Sequence, residues 1–431
     1  MPRIWSRALA ALVLLAALSG CDGDDDGGAL NNPPPNPPGG GGGSTLNAAT
    51  VSGRLVAPDG STPLANALVY IEGSEIAGGG VSPLKAPLAV PAPDVCGTPP
   101  TAGWSYTCSA ADGSFTWDGK IPANAKLVAI KGAFRIEQVL SATGGAVALG
   151  NLAVPTGTPG APGTTRMAVV TGSYDSVQNV LAKLGFGSVD ANGFLQLGTE
   201  TFDLYDGTGG GLDPTKYKSF DALFQDADSN GKADIFNYAI VFLNCGLDES
   251  ASTDPTRLQV LRDYVTQGGR LYVSDLAYDF VEQVFPGYVD FEGSPGTAAA
   301  SAETPGAAEL GNYGITSDAT LDPALRSWLG TVTCGAGASC LNAGGTATIE
   351  GFLGGWAVMV GAHASAPGGV RVWVNGPVTF EGQTTAVSRP LTVAFGVGTG
   401  RVTYTSYHNE PFGAAGFVPV ERILQFLVFE L

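Results

Sequence analysis

Residues 239–275 read AIVFLNCGLDESASTDPTRLQVLRDYVTQGGRLYVSD. The run 239–243 is apolar at every position, which predicts a strand covered on both faces rather than one with a wet side. Leu258, Leu261 and Val265 then recur at helical spacing, and Gly268 with Gly269 supply the left-handed stop. A second apolar strand follows at 270–273 and opens at Ser274 and Asp275. Strand, helix, strand implies a parallel crossover, and so a doubly wound α/β sheet over 166–431. Upstream, 167–170 predicts another strand, with Val177, Val180, Leu181 and Leu184 at helical spacing after it. Downstream, 391–395 reads as a strand, and 420–431 as a closing helix with Ile423, Leu424, Leu427 and Val428 inward. In such sheets ligands bind at the carboxyl ends of the strands. Here those ends carry Gly172, Cys245, Gly246, Ser274 and Asp275.

Before this region, 155–165 alternates Pro, Thr and Gly and reads as a linker. Residues 50–154 carry strand and turn signals: Val51 to Val56, the Pro58, Asp59, Gly60 turn, then 67–71, 113–117 and 127–131. The "G-x-V … G-x-P-L-x-x-A-x-V" pattern from Gly53 to Ala67 and the "x-D-G-x-F" hairpin at 111–115 resemble the carboxypeptidase regulatory-like, transthyretin-like β-sandwich. The resemblance departs at 78–106, a Pro-rich insertion. Such modules are structural or bind glycans and proteins. Trp104 and Tyr106 would stack on a sugar if they stand free on the insertion, or pack beneath it.

At the amino end, Arg3 and Arg7 precede an apolar run at 8–18, the layout of a signal peptide spanning 1–20. Leu18, Ser19, Gly20 and Cys21 resemble the lipobox of bacterial lipoproteins, which implies a diacylated Cys21 and a membrane anchor. Residues 21–49 are acidic, then Pro-rich and Gly-rich, and predict a disordered spacer. The chain of 431 residues has 63 Gly, 29 Pro, only 14% charged residues and a formal charge of −18. That charge argues against nucleic acid, which repels it. The expected place is the bacterial cell envelope, with the membrane, and a glycan or envelope protein, as partners.

The second region resembles the class I glutamine amidotransferase-like superfamily, of flavodoxin-like fold. The resemblance rests on the strand ends, on Gly246 where an oxyanion glycine is expected, and on His408 and Glu410, which match a His-x-Glu pair. It implies a nucleophile elbow after Gly268 and Gly269. The elbow departs from the family: Leu271, Tyr272, Val273, Ser274, Asp275 contain neither the cysteine nor the flanking glycines. The expected outcome is a non-catalytic, pseudoenzyme domain that binds or scaffolds at the cell surface. The alternatives are a hydrolase of an amide or glycan, with Ser274 activated by His408 and oriented by Glu410, or with Cys245 as nucleophile, and a carbohydrate-binding surface protein.

Asp226, Asp228, Asn230, Gly231 and Asp234 follow the spacing of a calcium loop, with Lys232 offering its carbonyl, and resemble an EF-hand or dockerin-type loop. Asn237 stands where a bidentate Glu is usual, and an Asx-rich surface turn is the plainer alternative. Calcium is the one cofactor expected. Six cysteines suit an oxidising compartment: Cys96 with Cys108 and Cys334 with Cys340 are spaced to close short loops, leaving Cys245.

Overall fold

The computed structural model of the chain describes residues 46–75, 96–291, 293, 304–381, 383–409 and 416–431. Residues 1–20, read as a signal peptide, Cys21, most of the 21–49 stretch, most of the Pro-rich insertion and Glu410 lie outside the described residues. Ser44 to Leu431 form one compact unit, mostly β, with few helices.

Seven strands come first: β1 (Asn47–Val56), β2 (Leu68–Ile71), β3 (Tyr106–Cys108), β4 (Ser114–Ile121), β5 (Lys126–Lys131), β6 (Phe134–Val139) and β7 (Gly145–Ala153). They pair as a three-stranded sheet, β4-β1-β7, and a four-stranded one, β3-β2-β5-β6. β4 shows why: Phe115, Trp117 and Ile121 are buried while Ser114, Thr116 and Asp118 are exposed, the period-two pattern of a strand with one dry face. Val51, Leu55, Val69, Ile71, Phe115 and Trp117 share the core so formed. The Cys96–Cys108 disulfide ties the end of the insertion to β3.

The second half is built on one ten-stranded mixed sheet. Its strands are β8 (Met167–Val170), β9 (Asp203–Asp206), β10 (Lys218–Ser219), β11 (Ile240–Leu243), β12 (Arg270–Ser274), β13 (Gly314–Leu321), β14 (Ala347–Phe352), β15 (Val370–Val378), β16 (Val387–Val397) and β17 (Gly400–Thr405). Their order is β10-β9-β8-β11-β12-β17-β16-β15-β13-β14. From β10 to β17 the pairings are parallel, and from β17 to β14 they are antiparallel. A wholly parallel sheet, the expectation from 239–275, therefore describes one half only. The reason is connection length: β16 and β17 are joined by Gly398 and Thr399 alone, and a connection that short permits only an antiparallel return.

The unit also contains helices α1 (Val177–Leu181), α2 (Pro255–Thr266), α3 (Asp279–Glu282), α4 (Pro323–Leu329) and α5 (Pro419–Glu430), and three small two-stranded pairs. Asp254 caps α2 through the Thr256 N–H and Pro255 opens it, as both residue types favour. Alternate residues of the parallel strands serve two cores. Val169, Phe242 and Tyr272 join Leu424 and Val428 of α5 and the β1–β7 strands, whereas Val170, Leu243 and Val273 join Leu261 and Val265 of α2. The seven-stranded part thus covers one face of the sheet, where a doubly wound fold would place more helices. Trp328, Trp373 and Phe426 form a third core beneath the antiparallel wing, near the Cys334–Cys340 disulfide.

The two halves are joined by backbone as well as by side chains. The Ala133 N–H donates to the Leu431 carbonyl at 2.8 Å, and the Asp59 N–H to the Leu184 carbonyl at 2.8 Å. Trp328 Nε1 donates to the Pro63 carbonyl at 2.8 Å. Gly132, at φ +54°, turns the β5–β6 hairpin against the last residues of the chain.

Candidate functional site

Four adjacent parallel strands, β8, β11, β12 and β17, release their chains at one edge of the sheet. After β8 come Gly172 and Asp175; after β11, Asn244, Cys245 and Gly246; at the end of β12, Ser274 and Asp275; after β17, Ser406, His408 and Asn409. This is the carboxyl edge at which open α/β sheets hold ligands. Close packing there depends on glycines. A Cβ on Gly172 would collide with the Cys245 carbonyl, and one on Gly351 with the backbone of His408.

The residue at the turn out of β12 is Asp275, with φ +43°, the left-handed region that ordinary side chains rarely enter. Its carboxylate, not the Ser274 hydroxyl, faces the histidine: Asp275 Oδ2 lies 2.6 Å from His408 Nε2. The other oxygen, Oδ1, accepts the Ala357 N–H at 2.9 Å, and the Tyr404 hydroxyl donates to the Asp275 carbonyl at 3.0 Å. Ser274 Oγ instead accepts the Cys245 N–H at 3.0 Å and is fully buried. His408 is anchored twice to Gly351, whose carbonyl accepts its backbone N–H at 2.9 Å and lies 3.1 Å from its Nδ1.

Cys245 donates its thiol to Asp275 Oδ2 at 3.5 Å. Burial first, and the Asp275 charge second, push this thiol up and hold it protonated. Burial alone lowers the His408 pKa, but the carboxylates of Asp275 and Asp175 outweigh it and the net direction is upward. Asp175 is itself raised by burial. Its Oδ1 accepts the N–H groups of Ser176 at 2.7 Å and Asn409 at 2.8 Å, which fastens the β8 loop to the β17 loop. The arrangement can hold charge and orient groups, yet its thiol is protonated and its Ser274 hydroxyl is engaged.

Gly246 sits beside the β8 loop at φ +82°, its carbonyl accepting the Ser173 N–H at 3.2 Å. Glu410 falls outside the described residues. Asp175 and Gly351 had no role assigned from sequence, whereas Asp275 was placed at the strand end beside Ser274. For Asp175 a signal existed: a buried acid just past a strand end and before a helix. Aspartate is among the few non-glycine residues that enter the left-handed region, but the sequence does not say which aspartate does so.

The 226–237 loop lies elsewhere, before β11. Asp226 accepts the N–H groups of Asn230 and Gly231, both at 2.9 Å, and Asp228 Oδ2 accepts the amides of Asn230 at 2.9 Å and Asn237 at 3.0 Å. Ser229 and Gly231 take positive φ to close the turn. Asp234 turns its carboxylate to the Ala227 N–H and to Lys218 Nζ at 3.3 Å, and the Lys232 N–H donates to Asn230 Oδ1 at 2.9 Å. Trp104 stacks on Tyr70 at 5.7 Å between ring centroids, while Tyr106 is 39% exposed.

No family model and no curated protein matches the sequence. Solved structures similar to part of it include a β-galactosidase from Rahnella sp. R3, at 11% identity and a TM-score of 0.30, covering 62% of this chain and 31% of that one. A cytoplasmic protein from Salmonella typhimurium overlaps at 11% identity and a TM-score of 0.29, covering 62% of this chain and 98% of its own. Overlaps this loose carry no argument about activity. The chain spans about a third of the β-galactosidase.

Proposed function

We propose that the chain is a lipid-anchored cell-envelope protein in which a carboxypeptidase regulatory-like sandwich supports an amidotransferase-like α/β domain that binds or scaffolds and does not catalyse. One observation carries the non-catalytic reading: the elbow position is held by Asp275, paired with His408, so the histidine has no hydroxyl or thiolate to activate. An aspartate there also repels the oxyanion that acyl transfer would develop.

The test pairs chemistry with genetics. The purified protein is incubated with serine-directed and cysteine-directed activity probes and with amide and glycan-ester substrates. No adduct on Ser274 or Cys245 and no turnover is expected. Labelling of either residue that disappears in His408→Ala would replace the reading with that of a hydrolase. For the anchor, incorporation of labelled fatty acid that is lost in Cys21→Ser is expected; incorporation unchanged by that substitution would remove it.

Calcium belongs to the same proposal. Asp226, Asp228 and Asn237 already converge in a turn closed by Ser229 and Gly231, and it is Asp234 that would have to leave Lys218 to complete the set. Calorimetry should show binding at calcium concentrations near the millimolar range of extracellular modules. Heat no different from that of Asp226→Asn would reduce the loop to an Asx turn.

A further inference from the structure

Beyond that reading, we propose that Cys245, Asp275 and His408 form a buried binding site for a divalent transition-metal ion of the zinc type. Their Sγ, Oδ2 and Nε2 atoms all lie within 4.8 Å of one another, and the three residues are 0%, 1% and 1% exposed. Each of the three side chains is oriented by a second partner that leaves one donor atom directed at the common point. His408 Nδ1 is 3.1 Å from the Gly351 carbonyl, which keeps the proton on Nδ1 and turns Nε2 toward the common point. Asp275 Oδ1 is taken by the Ala357 N–H at 2.9 Å, leaving Oδ2. The Leu276 N–H supports the Cys245 sulfur, as it would a thiolate.

A second observation points to a ligand rather than to a finished hydrogen-bond network. His408 Nε2 comes within 2.6 Å of Asp275 Oδ2 as a charge contact, yet the two atoms do not align as a directed hydrogen bond. A buried polar contact without that alignment is uncommon. Two donors side by side, neither aimed at the other, are placed as ligands of a third body. Tetrahedral zinc with ordinary bond lengths sets nitrogen and oxygen about 3.4 Å apart and sulfur and oxygen about 3.6 Å apart. The Sγ to Oδ2 separation is already 3.5 Å, while Nε2 and Oδ2 must part. One thiolate, one imidazole and one carboxylate form a donor set for zinc or cobalt(II); calcium and magnesium, which want oxygen throughout, are excluded by it. The 226–237 loop is a separate, all-oxygen set.

The test uses the full chain prepared without chelators. Elemental analysis after zinc loading and desalting should return about one zinc per chain, and cobalt(II) loading should give the intense near-ultraviolet thiolate-to-metal band. Cys245→Ser should abolish the band, which also tells Cys245 from Cys21, and His408→Ala should lower retained zinc at least tenfold. Asp226→Asn should change neither. Wild-type protein that retains no zinc and shows no cobalt band overturns the site, whatever the variants do. So does a band that survives in a folded Cys245→Ser protein. The absence of metal would leave the non-catalytic reading untouched, since that reading is decided by probe labelling.

Discussion

Gly132→Ala tests whether the strands β1–β7 and the central sheet unfold as one body. Gly132 stands at φ +54°, and a Cβ built there would lie 2.6 Å from the Phe429 carbonyl oxygen and closer still to that of Leu431. The left-handed conformation alone costs an alanine about 1 kcal/mol relative to glycine. The collision is with backbone that cannot rotate away, so the α5 terminus must retreat, at about 1–3 kcal/mol for overpacking. The Ala133 N–H to Leu431 carbonyl bond goes with it. A total loss of about 2–4 kcal/mol is expected. Gly60→Ala is the control, since Gly60 has φ +73° with nothing within 4 Å of its Cβ and so isolates the conformational part, about 1 kcal/mol. Urea unfolding followed by circular dichroism and by tryptophan fluorescence measures both variants. Trp117 lies in β4 and Trp373 in the wing of the large sheet, so coincident transitions mean one cooperative body. If Gly132→Ala is no less stable than Gly60→Ala, or if the wild type unfolds in two separate steps, the coupling argued from this contact is refuted.

Lys183 Nζ and Glu421 Oε1 meet at 2.6 Å with both side chains almost wholly buried, so Glu421→Gln should cost about 3 kcal/mol by stranding the lysine, and Lys183→Met with Glu421→Gln should recover most of it in the same urea assay. Thiol titration should find no reactive cysteine among the described residues in the native protein and Cys245 alone after denaturation without reductant, because Cys96, Cys108, Cys334 and Cys340 are bridged; a second reactive thiol from those four would contradict the pairing. Burial raises Asp279 to about 6 against hydrogen bonds from Gly306 and Gln283, and burial with the charges of Asp279, Asp275 and Asp248 raises Glu249 to about 7. The folded state therefore keeps protons that the unfolded chain has already lost. Stability should fall, on the order of 2 kcal/mol, as pH rises from about 4 to about 8, and level off above; Asp279→Asn should flatten the lower part of that slope, and a profile rising over the interval would invert the sign argued here.

The parallel half of the sheet was legible because β11 and β12 are short apolar runs separated by a capped helix, a pattern with few alternatives. The antiparallel half was not, since a segment such as 391–395 reads as a strand whatever sheet it joins. Nothing local distinguishes the β5–β6 hairpin from any other, so its contact with Leu431 was invisible: contacts between distant segments are set by packing and leave no periodicity. At the site, Gly246, Ser274 and His408 do gather at the strand ends, as the crossover rule requires. The facing partner was misjudged by one residue along β12, because alternate strand residues point opposite ways and the turn at Asp275 re-aims the chain by its positive φ. The same turn makes Cys245, read as a leftover thiol, a neighbour of the histidine.

The order of strands also governs how the molecule is made. β12 sits in the middle of the sheet beside β17, and residues 275–399 intervene. Until β17 emerges from the ribosome, Leu271, Tyr272 and Val273 present a bare, apolar edge, the template on which strands of other chains add. Nascent chains are thus most exposed to mispairing in this interval, and the slow, long-range closure of β12 on β17 is the step at which yield is decided.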